Sequence, residues 1–265
     1  MKKKRTNKQT LPENSIVLRP IFTNAGIESA YKKELKAIIK QIRKDVLLCL
    51  KKHYPQNIAK DGYFDGLEKA LNGVIDIWTD KIDTIAVKIA KSFVTKSLNY
   101  INKTFNTAFK EKNLPTVKFK MTKDVRQATK GVLFENVSLI KSIPQKYLND
   151  VETQLWQAIN NGFDLGKLAD NLEKTYKITE RRANLIARDQ TNKAKATIEQ
   201  ARRRELGITK AIWQHSHAGK QPRPSHVKAD GEIFDIEKGL YLDGDWTLPA
   251  VQINCRCTSK AIIEV

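Results

Sequence analysis

One break in pattern constrains this chain more than any other feature. Up to Leu206 apolar residues recur at helical spacing, and after Gly207 the sequence turns to short alternating runs separated by Gly, Pro and Asp. A three-to-four spacing buries one stripe of a helix, whereas a two-residue alternation buries one face of a strand, so the two stretches pack differently. The expected fold class is mainly α: a helix-rich N-terminal and central region, then a small α+β C-terminal module with short antiparallel strands. Four segments are expected. Residues 1–26 form a basic arm and extended lead-in, 27–115 an N-terminal helical region, 121–207 a central helical region, and 208–265 the strand-containing module.

The helical reading rests on named stripes. Between Glu28 and His53 the stripe is Tyr31, Leu35, Ile38, Ile42, Val46 and Cys49, with lysines opposite, and Pro55 stops the helix. From Tyr63 to Lys110 the same period runs through Leu67, Leu71, Trp78, Ile82, Phe93, Ile101 and Phe105, with Asn72-Gly73 as an expected break or kink. Thr116–Lys120 alternates like a short strand or extended link. Met121–Lys141, Pro144–Asn161 and Leu165–Tyr176 are expected as separate helices, with Ser142 near an N-cap, Pro144 in a first turn and Asn160-Asn161-Gly162 as a C-cap signal. Thr179 is expected to cap a helix over Glu180–Leu206 that ends at Gly207. Its narrow face is Ala183, Ile186, Gln190, Ala194, Ile198 and Ala201, and its outer side is expected to be basic and exposed. Beyond it, Ala211–Gln214, Ala250–Ile253 and Thr258–Val265 are the strand candidates.

Charge is distributed unevenly. The formal net charge is +19, but residues 211–265 hold 6 Lys/Arg against 7 Asp/Glu, so the excess belongs to residues 1–210. Such a surface attracts polyanions without regard to sequence; double-stranded DNA is the obvious one, and RNA and anionic membrane satisfy the same electrostatics. The expected contacts are Lys2, Lys3, Lys4 and Arg5 in the arm, and Arg202, Arg203 and Arg204 at the end of the basic helix. No run of about 18 apolar residues occurs, and no signal-peptide core follows the arm, so a soluble protein that stays where it is made is expected, with no membrane partner. Three cysteines make no disulfide framework, which fits a reducing compartment.

Two constellations after Gly207 could carry chemistry. His215, His217, His226, Cys255 and Cys257 are all zinc-ligand types, and His217, His226, Cys255 and Cys257 could close a tetrahedral site. Against this, Cys-x-Cys is tighter than the usual zinc-knuckle spacing, so buried thiols and no cofactor are the preferred reading, zinc being the alternative. His226 with Asp230 or Asp235 could form a general base and its orienting carboxylate, with Arg188, Arg223 or Arg256 holding a phosphate. No phosphate-cradling glycine loop, nucleophile elbow or His-Glu-x-x-His helix accompanies them, so no catalytic residue and no small-molecule substrate are expected. Arg188-Asp189-Gln190-Thr191-Asn192 lies on the basic helix. Polar residues in a closely packed helix need partners, and Arg223 and Arg256 are available to join helix and module in a buried seam.

The ordered set Ala187-Arg188-Asp189-Gln190-Thr191, Gly207, Trp213, Arg223 with His226, Gly231, Pro249 and Cys255-Arg256-Cys257 resembles the phage Mu F-like family of minor head, or head-morphogenesis, proteins. Order and approximate spacing both hold over roughly residues 130–260. One departure lies after Trp213, where the family usually carries an acidic residue and this chain has His215, Ser216 and His217. The resemblance implies a non-enzymatic minor capsid protein of a tailed phage, present in host cytoplasm during assembly and then in the virion head. It would sit near the portal, with the portal, scaffold or major capsid protein as partners and packaged DNA in contact. A metal-dependent nuclease or other phosphotransfer enzyme in the C-terminal module, or a free non-specific duplex-binding protein, are the alternative functions.

Overall fold

The computed structural model describes residues 10–53, 63–160, 165–217 and 221–264. In chain order the elements are β1 (Ser15–Val17), α1 (Ala25–His53), α2 (Tyr63–Lys110), α3 (Lys123–Asn160), α4 (Leu165–Glu205), β2 (Lys210–Gln214), α5 (Pro224–Lys228), β3 (Ile233–Asp235), β4 (Leu240–Leu242), β5 (Asp245–Thr247) and β6 (Thr258–Glu264). The protein is mainly α with a small α+β module at its C-terminal end, as the change of pattern at Gly207 predicts. Basic arm residues Lys2, Lys3, Lys4 and Arg5, the stop at Pro55 and the cap signal at Asn161-Gly162 lie outside the described residues.

The chain forms two compact units. One comprises residues 28–93 and 133–187; the other comprises 1–27, 94–132 and 188–265. Their boundaries fall within α1, α2, α3 and α4.

In the helical unit the expected α1 stripe is buried in full, from Tyr31 to Cys49, and so are Leu67, Leu71, Trp78, Ile82 and Phe93 of α2. Burying one such side chain contributes about 1.5–3 kcal/mol, and that burial, more than helix propensity, makes these elements stable. Tyr31 stacks on Phe93 with ring centroids 4.4 Å apart and donates its hydroxyl to Asn136 at 2.8 Å. Trp78 donates its indole N–H to Asp45 at 3.0 Å, so the polar edge of a buried ring is satisfied.

Two expected helix breaks do not occur, and at Asn72-Gly73 the chain takes the one-helix alternative. Gly73 lies inside the single helix α2, and its absent Cβ would meet nothing within 4 Å. Pro144 lies buried inside α3 rather than in a first turn. Ser142 therefore caps nothing: its hydroxyl turns back to the Leu139 carbonyl at 2.7 Å, and Arg182 donates to its carbonyl at 3.1 Å and to its hydroxyl at 2.8 Å. Thr179 bonds back to the Thr175 carbonyl at 2.9 Å in mid-helix, so α4 runs unbroken from Leu165. Tertiary burial outweighs the local signals in each case: Ile143, Pro144, Tyr147, Thr175 and Thr179 are all inside.

The second unit is built on a four-stranded antiparallel sheet in the order β1-β6-β2-β3. The lead-in is more than a lead-in, because Ser15–Val17 pairs with Glu264–Ile262 as an edge strand. Leu18 and Ile21 then pack with Ile101, Phe105, Phe109, Ile198, Ile208 and Ala261. In β2, Ala211 and Trp213 point inward while Lys210 is exposed, the alternation expected of a one-sided strand. Gly207, at φ +68, closes α4: the Ile208 N–H reaches back to Arg203 at 2.9 Å and the Gly207 N–H to Arg204 at 3.0 Å.

One strand expectation is corrected, and Thr116–Lys120 takes the link alternative over the strand. Thr116–Lys120 is irregular chain, held where the Asn106 side chain accepts the Val117 N–H at 2.8 Å and donates to its carbonyl at 3.0 Å, a side-chain substitute for a strand partner. Ala250–Ile253 is a run of turns, since Ala250 at φ 68 and Asn254 at φ 62 are left-handed and cannot extend a strand. The hairpin lies just upstream, where Asp243 and Gly244, both at positive φ, join β4 to β5. Asp-Gly between apolar runs is the sequence signal for that turn.

Candidate functional site

Cys255 and Cys257 sit two apart in extended chain leading into β6, so their side chains share one side while Arg256 between them is exposed. Across from them stands His226 on the short helix α5, which Pro224 opens at its first turn. His226 Nδ1 is 3.5 Å from Cys255 Sγ and 3.6 Å from Cys257 Sγ, and all three residues are buried. Trp213 holds the imidazole by an edge-to-face contact, centroids 5.3 Å apart, and is itself fully buried against Phe234. Gly231 secures this end of β2: at φ +87 it donates its N–H to the Trp213 carbonyl at 2.9 Å, a conformation that L side chains rarely adopt. Pro249 is buried, and the next residue, Ala250, aims its N–H at Cys255 Sγ, 3.3 Å away.

These contacts set the thiol chemistry. A hydrogen bond from Cys257, the Ala250 N–H and the His226 ring together pull the Cys255 thiol down to about 5, against burial, which acts the other way. The same pairing and burial push Cys257 up. Beside the three residues opens a cavity of about 610 Å³. Arg188, His215, Asn254 and Arg256 line it with the triad. His215 is lowered by burial and then by its neighbour His217.

Arg188 and Asp189, on α4, tie that helix to the loop that carries the cysteines. Arg188 donates to the Asn254 side chain, and Asp189 accepts the Asn254 N–H at 3.2 Å. Asn192 accepts the Thr23 hydroxyl at 2.5 Å, and Gln190 and Thr191 are buried. The expected seam exists, but its partners differ. Arg223 donates instead to the Ile253 carbonyl at 2.9 Å, bracing the same loop from the other side, and Arg256 faces the cavity.

Further corrections follow from geometry. His226 makes no pair with Asp230 or Asp235. Asp230 accepts the His215 N–H at 2.8 Å and approaches His217 Nε2 at 3.4 Å, while Asp235 accepts the N–H groups of Glu237 and Lys238. His217 is exposed and lies outside the cluster formed by His226, Cys255 and Cys257. The basic side of α4 is also not an exposed surface near its end. Arg202 is 1% exposed, donating to Asn102 at 2.8 Å and to the Lys120 carbonyl at 2.6 Å, pairing with Glu205 and lying over the Phe119 ring. Arg203 is 4% exposed and donates to Ser259. A guanidinium enclosed in this way cannot reach a phosphate. Arg204 alone of the three is exposed, as expected, and it pairs with Glu237 at 3.2 Å.

The sequence reading missed the buried ladder Lys195-Glu199-Arg203. Glu199 receives Lys195 Nζ at 3.1 Å on one oxygen and Arg203 on the other, while Lys195 also donates to Thr258 at 2.9 Å. Its signal was present as charges of alternating sign at i, i+4 and i+8.

Comparison with known proteins agrees with this picture. An uncharacterized protein of Haemophilus influenzae (strain Rd) is 30% identical over 259 residues, which is 93% of this chain and 55% of that protein. The chain thus spans about half the length of the curated relative it matches. No solved structure matches it. Residues 149–260 match the family described as Phage Mu protein F like protein, a span that holds Arg188, Trp213, His226 and both clustered cysteines. Through that span the chain is similar to Phage Mu protein F like proteins.

Proposed function

We propose that this chain is a head-morphogenesis protein: a minor capsid component of a tailed phage, added near the portal during head assembly and lying against packaged DNA without reading its sequence. The family match over residues 149–260 carries the reading. The module's construction agrees with it, because residues from α4, α5 and the 249–257 loop are spent on fixing one another. A docking part needs one rigid shape, and Arg188, Asp189 and Arg223 all brace a single loop. The same observation speaks against the nuclease alternative, since His226 faces two sulfurs instead of an orienting carboxylate.

Under this reading the protein passes from host cytoplasm into the virion head, with the portal, scaffold or major capsid protein as its contact. DNA contact would fall to lysines on exposed helix faces, such as Lys33, Lys40 and Lys44 of α1 and Lys88, Lys91 and Lys96 of α2. Co-expression with portal, scaffold and major capsid proteins, followed by gradient sedimentation of procapsids, tests the assignment. Co-sedimentation that is lost when the portal is omitted supports it. A chain that stays at the top of the gradient with all three present, or that cuts plasmid DNA when divalent metal is added, refutes it.

A further inference from the structure

We propose that His226 Nδ1, Cys255 Sγ and Cys257 Sγ are three ligands of one zinc ion whose fourth position faces the neighbouring cavity. The distances are the first argument. Zn–N of about 2.0–2.1 Å and Zn–S of about 2.3 Å at tetrahedral angles place nitrogen and sulfur about 3.6 Å apart. The two observed separations are 3.5 and 3.6 Å. Both nitrogen–sulfur edges thus already have the length of a tetrahedron centred on a metal, and all three ligand atoms lie within 4.8 Å of one another.

Hydrogen bonding alone accounts poorly for this convergence. An imidazole nitrogen has one lone pair, or one hydrogen, to share, and here two sulfurs close on the same nitrogen. A central cation engages all three at once. It also resolves the charge, since two thiolates and a divalent ion sum to zero, which a buried position tolerates far better than paired anions. The Ala250 N–H directed at Cys255 Sγ is the kind of outer donor that holds a metal-bound sulfur in place.

The tight Cys-x-Cys spacing, which counts against a zinc knuckle, is explained by the chain just ahead of β6. Extended chain puts alternate residues on one side, so two sulfurs reach one ion without a knuckle turn, and the third ligand comes from α5 across the module. Among the described residues no fourth His, Cys, Asp or Glu joins the group. The cavity lined by His215, Arg188 and Arg256 adjoins it instead, so water completes the coordination and an anion can replace that water.

The test uses the full chain without an affinity tag, purified without chelator. Elemental analysis is expected to find about one zinc per chain, and cobalt replacing zinc should give a thiolate-to-cobalt charge-transfer band of tetrahedral type. Cys255 and Cys257 should resist a thiol reagent until chelator is added. Cys257→Ser and His226→Gln should each lose the metal, whereas Cys49→Ser should keep it; the wild-type cobalt spectrum decides the matter if the site variants fail to fold. Wild-type protein that takes up neither zinc nor cobalt, a Cys255–Cys257 disulfide in freshly isolated protein, or full zinc retention in both site variants would each overturn the assignment.

Discussion

Replacing Glu199 by Gln should be among the most damaging single changes outside the apolar core. Glu199 is 3% exposed and is the only acid in a ladder with two cations, Lys195 at 5% and Arg203 at 4% exposed. The substitution keeps size and shape, so it creates no cavity; what changes is that two buried positive charges lose their shared counter-charge. Breaking a buried pair by removing one partner costs about 3–5 kcal/mol. Hydrogen bonds from Arg203 to Ser259 and from Lys195 to Thr258 remain but carry no compensating charge. At about 2–4 °C per kcal/mol for chains of this size, the melting temperature should fall on the order of 10 °C. Lys195→Met should cost less, because it leaves Glu199 and Arg203 as a one-to-one pair. Calorimetry at low and high salt is the assay. Both losses should persist in high salt, since buried pairs are little screened. A Glu199→Gln melting point within about 1 °C of wild type, or a larger loss for Lys195→Met, would refute the assignment of this ladder as a counter-charged core.

Other outcomes are expected from the same structure. Trp213→Ala should cost about 3–5 kcal/mol, as truncation of a fully buried aromatic does, and unchanged melting would place the side chain on a surface. Tyr147 is pushed up to about 12 by burial, and Tyr31 is raised further for the same reason; since unfolded tyrosine ionises near pH 10, stability should be lost as pH climbs from about 10 through 12. Absorbance titration should then show these two phenols ionising last, and only with unfolding. If exposed lysines meet duplex DNA, affinity should fall with a log-log salt slope of about −0.9 per phosphate neutralised. Lys88→Gln with Lys91→Gln should shallow that slope, while indifference to duplex at low salt, with salt-sensitive portal binding, would assign the charge to a protein partner.

How much of this was legible in sequence depended on whether a residue's fate is set nearby or at a distance. The α1 stripe was readable because every member is fixed by helix periodicity, and β2 because alternation fixes which side chains face inward. Pro144 and Thr179 misled because they are local stop or start signals whose weight of a few kcal/mol is overridden by burial on α3 and α4. Arg202 and Arg203 misled more seriously. A Lys/Arg run at the end of a helix ordinarily marks a solvated face, and nothing within a few residues reveals that Asn102, Lys120 and Ser259 will enclose it.

The scattered signature residues make physical sense only once that distance is crossed. Arg188 and Asp189 grip Asn254 from α4, Arg223 grips Ile253 from the start of α5, and Trp213, whose carbonyl accepts the Gly231 N–H, holds the His226 ring from β2. They act on the loop that carries Cys255 and Cys257 or on the imidazole opposite them. Asn254, at φ 62, is the hinge of that arrangement: its left-handed backbone turns the chain into the cysteines, while its N–H and side-chain oxygen take the two α4 contacts. Asn254→Ala would strain the backbone and orphan Arg188 together, whereas Asn254→Gly would keep the turn and lose the Arg188 contact alone. If the loop's function is to hold the sulfurs at their present spacing from His226, the glycine variant should retain thiol reactivity closer to wild type than the alanine variant. Equal reactivity in both would show that α4, and not the turn, positions the pair.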